Sequence, residues 1–377
     1  MRVDFNVPLD EGGAILDDMR IRATLPTIQY LRTHGARVVL CSHLGRPKGK
    51  VVESLRVAPI ARRLQELLGA PVAAAPDCVG LEVEAAVAAL GEGEVLLLEN
   101  LRFHPEEEAN DSAFAGQLAV LADVYVNDAF GTAHRAHASI EGVAHLLPAV
   151  AGLLMEKELE YLGRLLAEPE RPCGVIIGGA KISDKMGVLR TLVTKTDVLI
   201  IGGGMANTLL KAKGYAVGDS LVEDDQLEAA HAIMDDAARH KIHLLLPVDV
   251  VVAERFAANA RARTAPTDQV PEGWRIMDVG PRSLVAYSEA LQTCRTVVWN
   301  GPLGVAEFPQ FARGSESLAQ TVAGLDAVTI VGGGETAALV EEAGLAERFD
   351  HVSTGGSAFL EYMEGRELPG VAALEDR

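Results

Sequence analysis

Positive charge is short in this sequence: 34 lysines and arginines stand against 53 aspartates and glutamates, a formal net charge of −19. That balance excludes a nucleic acid or an anionic membrane held by a net basic face, so any anion the chain binds must be met by a local cluster. Cysteine is scarce too. Cys41, Cys78, Cys173 and Cys294 stand far apart with no CxxC pair, which offers neither a disulfide framework nor a zinc pattern and suits packing residues in a reduced compartment. No apolar run reaches membrane-spanning length, and the one from Leu146 to Met155 is broken by Pro148. The first ten residues carry Arg2 and Asp4 and lack the apolar core of a secretion signal, so a soluble, cytoplasmic protein is expected. A GxxxxGKS or GxxxxGKT signature is also missing, which excludes a Walker P-loop at the level of motif.

What is present is an alternation. Short apolar runs are followed by turns rich in Gly, Pro, Asn or Asp, and then by stretches of helical period, the pattern of parallel sheets with helices on both faces. The runs are Val38 to Cys41, Val95 to Leu98 and Val124 to Val126 in the first half. Those of the second half are Val175 to Ile177, Val198 to Ile201, Ile242 to Leu246, Thr296 to Trp299 and Val328 to Val331. At 377 residues the chain has room for two such domains. Leu159, Leu162, Leu165 and Leu166 recur at helical spacing and stop before Pro169 and Pro172, predicting a linker helix within 153–170 between domains at 1–152 and 171–356.

Ligands of open α/β sheets bind at the carboxyl ends of the strands. In the first half those positions are basic: His43, Leu44, Gly45 and Arg46 follow one run, Arg102 another, and His134, Arg135 and His137 a third, with Arg20 at the start of a predicted helix. Repeated arginine in so acidic a chain points to a small, multiply anionic ligand, because the planar guanidinium grips carboxylate or phosphate with two parallel bonds. In the second half the same positions are glycines, at 178–179, 202–204, 332–334 and 355–356. Glycine makes tight strand-to-helix turns and also lets backbone N–H groups approach phosphate. After Gly178 and Gly179 a helix is expected, with Lys181 and Lys185 four apart on one face, two ammonium groups that an anion would reconcile. Together these features predict phosphoryl transfer between a nucleotide and a small anion. The loose GxGxxA match from Gly332 to Ala337 leaves an NAD-dependent dehydrogenase as the alternative.

The motifs behind these positions are RVDFNVP from Arg2, MRIRATLPTI from Met19, SHLGRPKG from Ser42, LENLRFHPEEE from Leu98, NDAFGTAHRAHAS from Asn127, GGAKISDK from Gly178, GGGMANT from Gly202, WNGPLGVAEF from Trp299, VGGGET from Val331 and HVSTGGSA from His351. In this order, over nearly the whole chain, they resemble the phosphoglycerate kinases. The resemblance implies a cytoplasmic monomer of two Rossmann-like α/β/α domains that closes about a hinge, with segment 357–377 returning to the first domain. It implies reversible, Mg²⁺-dependent transfer between 1,3-bisphosphoglycerate with ADP and 3-phosphoglycerate with ATP, with no nucleic-acid or membrane partner. Carried over, the 3-phosphoglycerate site comprises Asp4, Phe5, Asn6, Arg20, His43, Leu44, Gly45, Arg46, Arg102 and Arg135. Arg20, Lys181, Lys185, Gly355 and Gly356 are implied to act on the transferring group. Gly179, Ala180, Lys181, Lys185, Gly203, Gly204, Glu307, Gly333, Gly334, Glu335 and Thr336 are implied at the nucleotide, with Glu335 as the metal ligand where the family usually has aspartate. Ala306 stands for a usual aromatic and Ser357 for a usual glycine. Family members carry a further segment ahead of RVDFNVP, so the chain is expected to start inside its first strand, and a catalytically impaired truncated kinase is a further alternative.

Overall fold

The computed structural model describes residues 1–375, and backbone contacts divide the chain into two units, Met1–Glu160 with residues from 367 onward, and Tyr161–Arg366. The division falls inside the helix Leu153–Ala167. Of the segment expected to return to the first domain, 357–366 group with the second unit, and 376–377 lie outside the described residues.

In the first unit the strands are β1 (Val38–Leu40), β2 (Val72–Ala74), β3 (Val95–Leu97), β4 (Tyr125–Asn127) and β5 (Ala149–Ala151). All pairs are parallel, β1-β3-β2 in one sheet and β4-β5 in another. Residues 1–3 stitch the two sheets together: Arg2 N–H donates to Val126 O (2.8 Å), Val3 N–H donates to Cys41 O (3.1 Å), and Arg2 bridges Cys41 and Asn127. Beyond that bridge Val3, Phe5 and Val7 are buried with Ile21, Ile28, Leu40 and Leu97, while Arg2, Asp4 and Asn6 alternate with them. An extended segment turns alternate side chains to opposite faces, so one face builds core and the other delivers polar groups to the carboxyl ends of β1, β3 and β4.

The second unit holds β6 (Cys173–Ile177), β7 (Val198–Ile201), β8 (His243–Leu245), β9 (Asp249–Ala253), β10 (Ala262–Pro266), β11 (Arg275–Val279), β12 (Thr296–Asn300), β13 (Val328–Gly332) and β14 (His351–Val352). Six form a parallel sheet ordered β14-β13-β12-β6-β7-β8. Its central strands β12, β6 and β7 are buried at every residue, as expected for strands covered by helices on both faces. The strand order reverses between β6 and β12. The other three form an antiparallel sheet, β10-β9-β11, that the alternation pattern does not predict. Its edge strand Ala262–Pro266 is mostly exposed and carries no apolar run to read. Strands β2 and β5 escape sequence reading because they are alanine-rich and mostly exposed, and β14 because it is only two residues long. Among the described residues no helix is long and apolar enough to cross a membrane.

Candidate active site

In the first unit, four guanidinium groups act on one buried imidazole. Arg2 Nη2 lies 3.1 Å from His43 Nδ1, and since a guanidinium can only donate, Nδ1 accepts and the ring is neutral with its proton on Nε2. Burial holds His43 well below the usual histidine range, helped by the charges of Arg2, Arg102, Arg135 and Arg20. Arg20, in the first turn of the helix Met19–Thr33, sets Nη1 3.0 Å from Asp4 Oδ2 and donates to Asn6 O at 3.1 Å. Asn6 Oδ1 in turn accepts from Gly45 N–H at 2.8 Å. Arg102 donates through Nη1 to Gly45 O (2.8 Å), and Asn100 fixes the turn beneath it by accepting from the N–H groups of Leu44 and Arg102, each at 3.1 Å. Arg135 donates to His134 Nε2 at 3.2 Å. Burial first, then the charges of Arg102, Arg135, Arg2 and His134, pushes His137 down to about 4, so it too is neutral at pH 7. Arg46 is different. It is exposed and is not among the charges that act on His43.

Sequence reasoning passes over Arg2, whose only signal is its place two residues ahead of Asp4 on one face of an extended segment. Its side chain is 1 % exposed, a costly position for an isolated charge. Arg2 is satisfied by the Val3 carbonyl, by His43 and by Ser139, whose Oγ accepts from Nε at 2.9 Å and donates to Glu107 Oε1 at 2.6 Å. Glu107 is fully buried and also accepts the Ser139 N–H at 2.9 Å. One hydroxyl therefore joins a buried cation to a buried anion. Ser139→Ala strips a partner from each, and a loss of about 1–3 kcal/mol in unfolding free energy is expected, read as a lower urea midpoint at unchanged slope. An unchanged midpoint would show that the bridge carries no stability.

In the second unit the reversal between β6 and β12 leaves a crevice at their carboxyl ends, the usual ligand position in a doubly wound sheet. Lys185 occupies it. Its Nζ donates to Gly178 O and to Asn300 Oδ1, both at 2.6 Å, and burial brings the ammonium down to about 8 against the raising fields of Glu335 and Asp184. The helix expected to carry Lys181 and Lys185 on one face begins only at Met186, after a single 3₁₀ turn at Ser183–Lys185. Gly178 and Gly179 are spent on the turn itself, so Lys181 lies ahead of the helix, exposed, and the four-residue spacing does not pair the lysines. Asn300, which sequence reasoning quotes only inside WNGPLG, is buried with Nδ2 unpartnered beside Gly333. Gly333 has φ +93°, and a Cβ there would stand 2.9 Å from that nitrogen. Thr336 accepts the Gly301 N–H at 2.7 Å. Gly355 is buried with its N–H on Ser353 Oγ (3.2 Å), and Gly356 precedes the helix Ser357–Met363.

Beside Lys185 opens a cleft lined by Gly179, Ala180, Gly203, Gly204, Glu307 and Glu335 among the expected residues. Gly203 has φ +66°, and a Cβ there would strike the Gly179 backbone, so this wall is two glycine turns in direct backbone contact. The apolar part of the lining is Leu221, Phe256, Met277 and Leu303. Phe256 and Met277 come with the antiparallel sheet, which is why the glycine pattern does not reveal them. Glu335 is exposed at the first turn of the helix Gly334–Glu342, and among the described residues its carboxylate has no hydrogen-bond or ion-pair partner. A free carboxylate suits Mg²⁺, which takes one or two protein oxygens and completes its shell with water and phosphate.

The family model for phosphoglycerate kinase matches residues 1–366. Among curated relatives, the phosphoglycerate kinase of Moorella thermoacetica is 61 % identical over 377 residues, covering 100 % of this chain and 96 % of the relative. That of Pelotomaculum thermopropionicum is 59 % identical over 377 residues, again covering 100 % of this chain and 96 % of the relative. Among solved structures, phosphoglycerate kinase from Coxiella burnetii superposes with a TM-score of 0.87 at 42 % identity, covering 99 % of this chain and 94 % of that one. The Pyrococcus horikoshii enzyme does so with a TM-score of 0.86 at 33 % identity and the same coverage. These likenesses lend no support to a dinucleotide-dependent dehydrogenase.

Proposed function

Since the chain belongs to the phosphoglycerate kinase family, and is a phosphotransferase of glycolysis acting between 1,3-bisphosphoglycerate with ADP and 3-phosphoglycerate with ATP, we propose that the acid binds in the first unit and the nucleotide in the second. The observation that carries this reading is the set of four arginines around His43 in a chain of net charge −19. Arg20, Arg102 and Arg135 meet the carboxylate and phosphate of 3-phosphoglycerate, with Arg46 reaching in from the surface. His43 donates from Nε2, and Asp4, Phe5, Asn6, Leu44 and Gly45 shape the pocket. The acceptor is a carboxylate, already ionised at neutral pH, so no general base is required. A histidine kept neutral with Nδ1 occupied by Arg2 fits the part of donor. Gly179, Ala180, Gly203, Gly204 and Glu307 receive the nucleoside, and Gly333, Gly334 and Thr336 flank its phosphates. Lys181, Lys185 and the N–H groups of Gly355 and Gly356 meet the charge that develops on the moving group.

Mg²⁺, held by Glu335, would supply neutralising charge between the phosphates when bound. Hinge closure belongs to the same reading, because each reactant has its own unit and transfer requires reacting atoms roughly 3–3.5 Å apart. So does a cytoplasmic monomer free of nucleic acid and membrane, supported by the acidic surface. Two measurements test it. Coupled-assay turnover of 3-phosphoglycerate with Mg-ATP is expected, and its absence would sink the assignment. Mg-ADP at a hundred times its Kd is expected to stabilise the fold by about 2.7 kcal/mol, while NAD does nothing. Stabilisation by NAD alone would reverse the nucleotide assignment.

A further inference from the structure

The turn after β2 and the turn after β3 meet at a side-chain cluster that phosphoryl transfer does not use. Asp77 Oδ1 lies 2.7 Å from His104 Nε2 and accepts the Cys78 N–H, also at 2.7 Å. One ligand atom from each of Asp77, Cys78 and His104 falls within 4.8 Å of the other two. Cys78 is fully buried, is in no disulfide, and its thiol is hydrogen-bonded with Asp77. Among the charges that act on it are the carboxylates Asp77 and Glu107, negative groups that favour a cation here. His104 is pinned by stacking on Phe114, with centroids 5.2 Å apart, and by its backbone N–H on Leu101 O at 3.1 Å. The Asp77 and His104 side chains are 51 % and 27 % exposed, which leaves an ion an entrance and a water a coordination position.

One carboxylate oxygen, one imidazole nitrogen and one thiolate sulfur form a mixed donor set that suits zinc and its transition-metal neighbours rather than magnesium or calcium. We propose that Asp77, Cys78 and His104 form a zinc-class site that clips these two turns together. On binding, the Cys78 S–H bond breaks, its proton leaves to solvent and a sulfur–metal bond forms, while the Asp77–His104 hydrogen bond is exchanged for two metal bonds. Ligand atoms around tetrahedral zinc lie roughly 3.2–3.8 Å apart, so the Asp77–His104 pair must open slightly while Cys78 closes on it. Arg102 sits two residues before His104, in the turn Leu101–Phe103, and the clip would fix the backbone that carries it. The ligand positions 77, 78 and 104 have no motif spacing, which is why the cysteines read as packing residues.

The test uses the full chain, reduced and stripped of metal by a chelator. Titration with Co²⁺ should give one equivalent bound with a sulfur-to-cobalt charge-transfer band that Zn²⁺ abolishes. His104→Gln and Asp77→Asn, both at partly exposed positions, should each weaken zinc binding about 10–100-fold with the circular dichroism spectrum unchanged. A native spectrum with no sulfur–cobalt band, or equal zinc affinity in His104→Gln and the parent protein, would overturn the site.

Discussion

Lys185→Ala is expected to lower kcat by about 10²–10³, some 2.7–4 kcal/mol of transition-state stabilisation, with a much smaller change in KM for 3-phosphoglycerate. The ammonium is held at the strand-order reversal by Gly178 O and Asn300 Oδ1, so its position is set before any ligand arrives and nothing need reorganise as charge develops. Its pH behaviour gives a second readout. Burial brings Lys185 down to about 8, so in the free protein the charge is lost as pH rises through that value, and kcat/KM for the nucleotide should fall there. Phosphate binding favours the ammonium, which places the corresponding limb of kcat at higher pH. Lys185→Arg keeps its charge throughout, so the limb should vanish even though activity drops for want of the same geometry. The stability sign is opposite. Between about 8 and the ordinary value of 10.5 the unfolded chain holds a proton that the folded chain has released, so this residue's contribution to stability grows as pH rises through that window. Full kcat in Lys185→Ala would remove the lysine from the transfer path.

How legible the site is in the sequence depends on the kind of interaction. Residues that follow an apolar run can be placed from the run alone, which is why His43, Arg102 and Arg135 are found; Arg102 and Arg135 both act on His43. Arg2 hides because its role rests on contacts 41 and 137 positions away, with His43 and Ser139. Asn300 hides for the same reason, since its partner Lys185 is 115 residues distant and belongs to a different strand end. Lys181 and Lys185 mislead in the opposite direction: four-residue spacing implies a shared face only where the backbone is already helical, and the glycine turn postpones the helix to Met186. Of the cleft's apolar lining, Met277 lies on β11, where Arg275 and Asp278 interrupt the apolar residues, and Phe256 lies in the connection between β9 and β10, so no apolar run announces either.

Arg20→Ala should likewise reduce kcat by about 10²–10³. Here the argument must separate catalysis from structure, because Arg20 also neutralises Asp4, which is only 5 % exposed. Removing the arginine leaves that carboxylate without its ion-pair partner at 3.0 Å, a cost of about 1–3 kcal/mol to the fold. Nη1 is engaged with Asp4 and Asn6; among the described residues Nε and Nη2 make no protein hydrogen bond, which leaves them to grip two oxygens of a transferring group. Adding Asp4→Asn to Arg20→Ala removes the orphaned charge and should recover much of the stability while leaving kcat low. Arg20→Lys should hold the ion pair and the fold yet still lose rate, because one ammonium cannot serve Asp4 and a phosphoryl group with a planar fork. If kcat returned in step with the urea midpoint in either variant, Arg20 would be a structural residue, and the charge that steadies the moving phosphoryl group would have to come from the second unit alone.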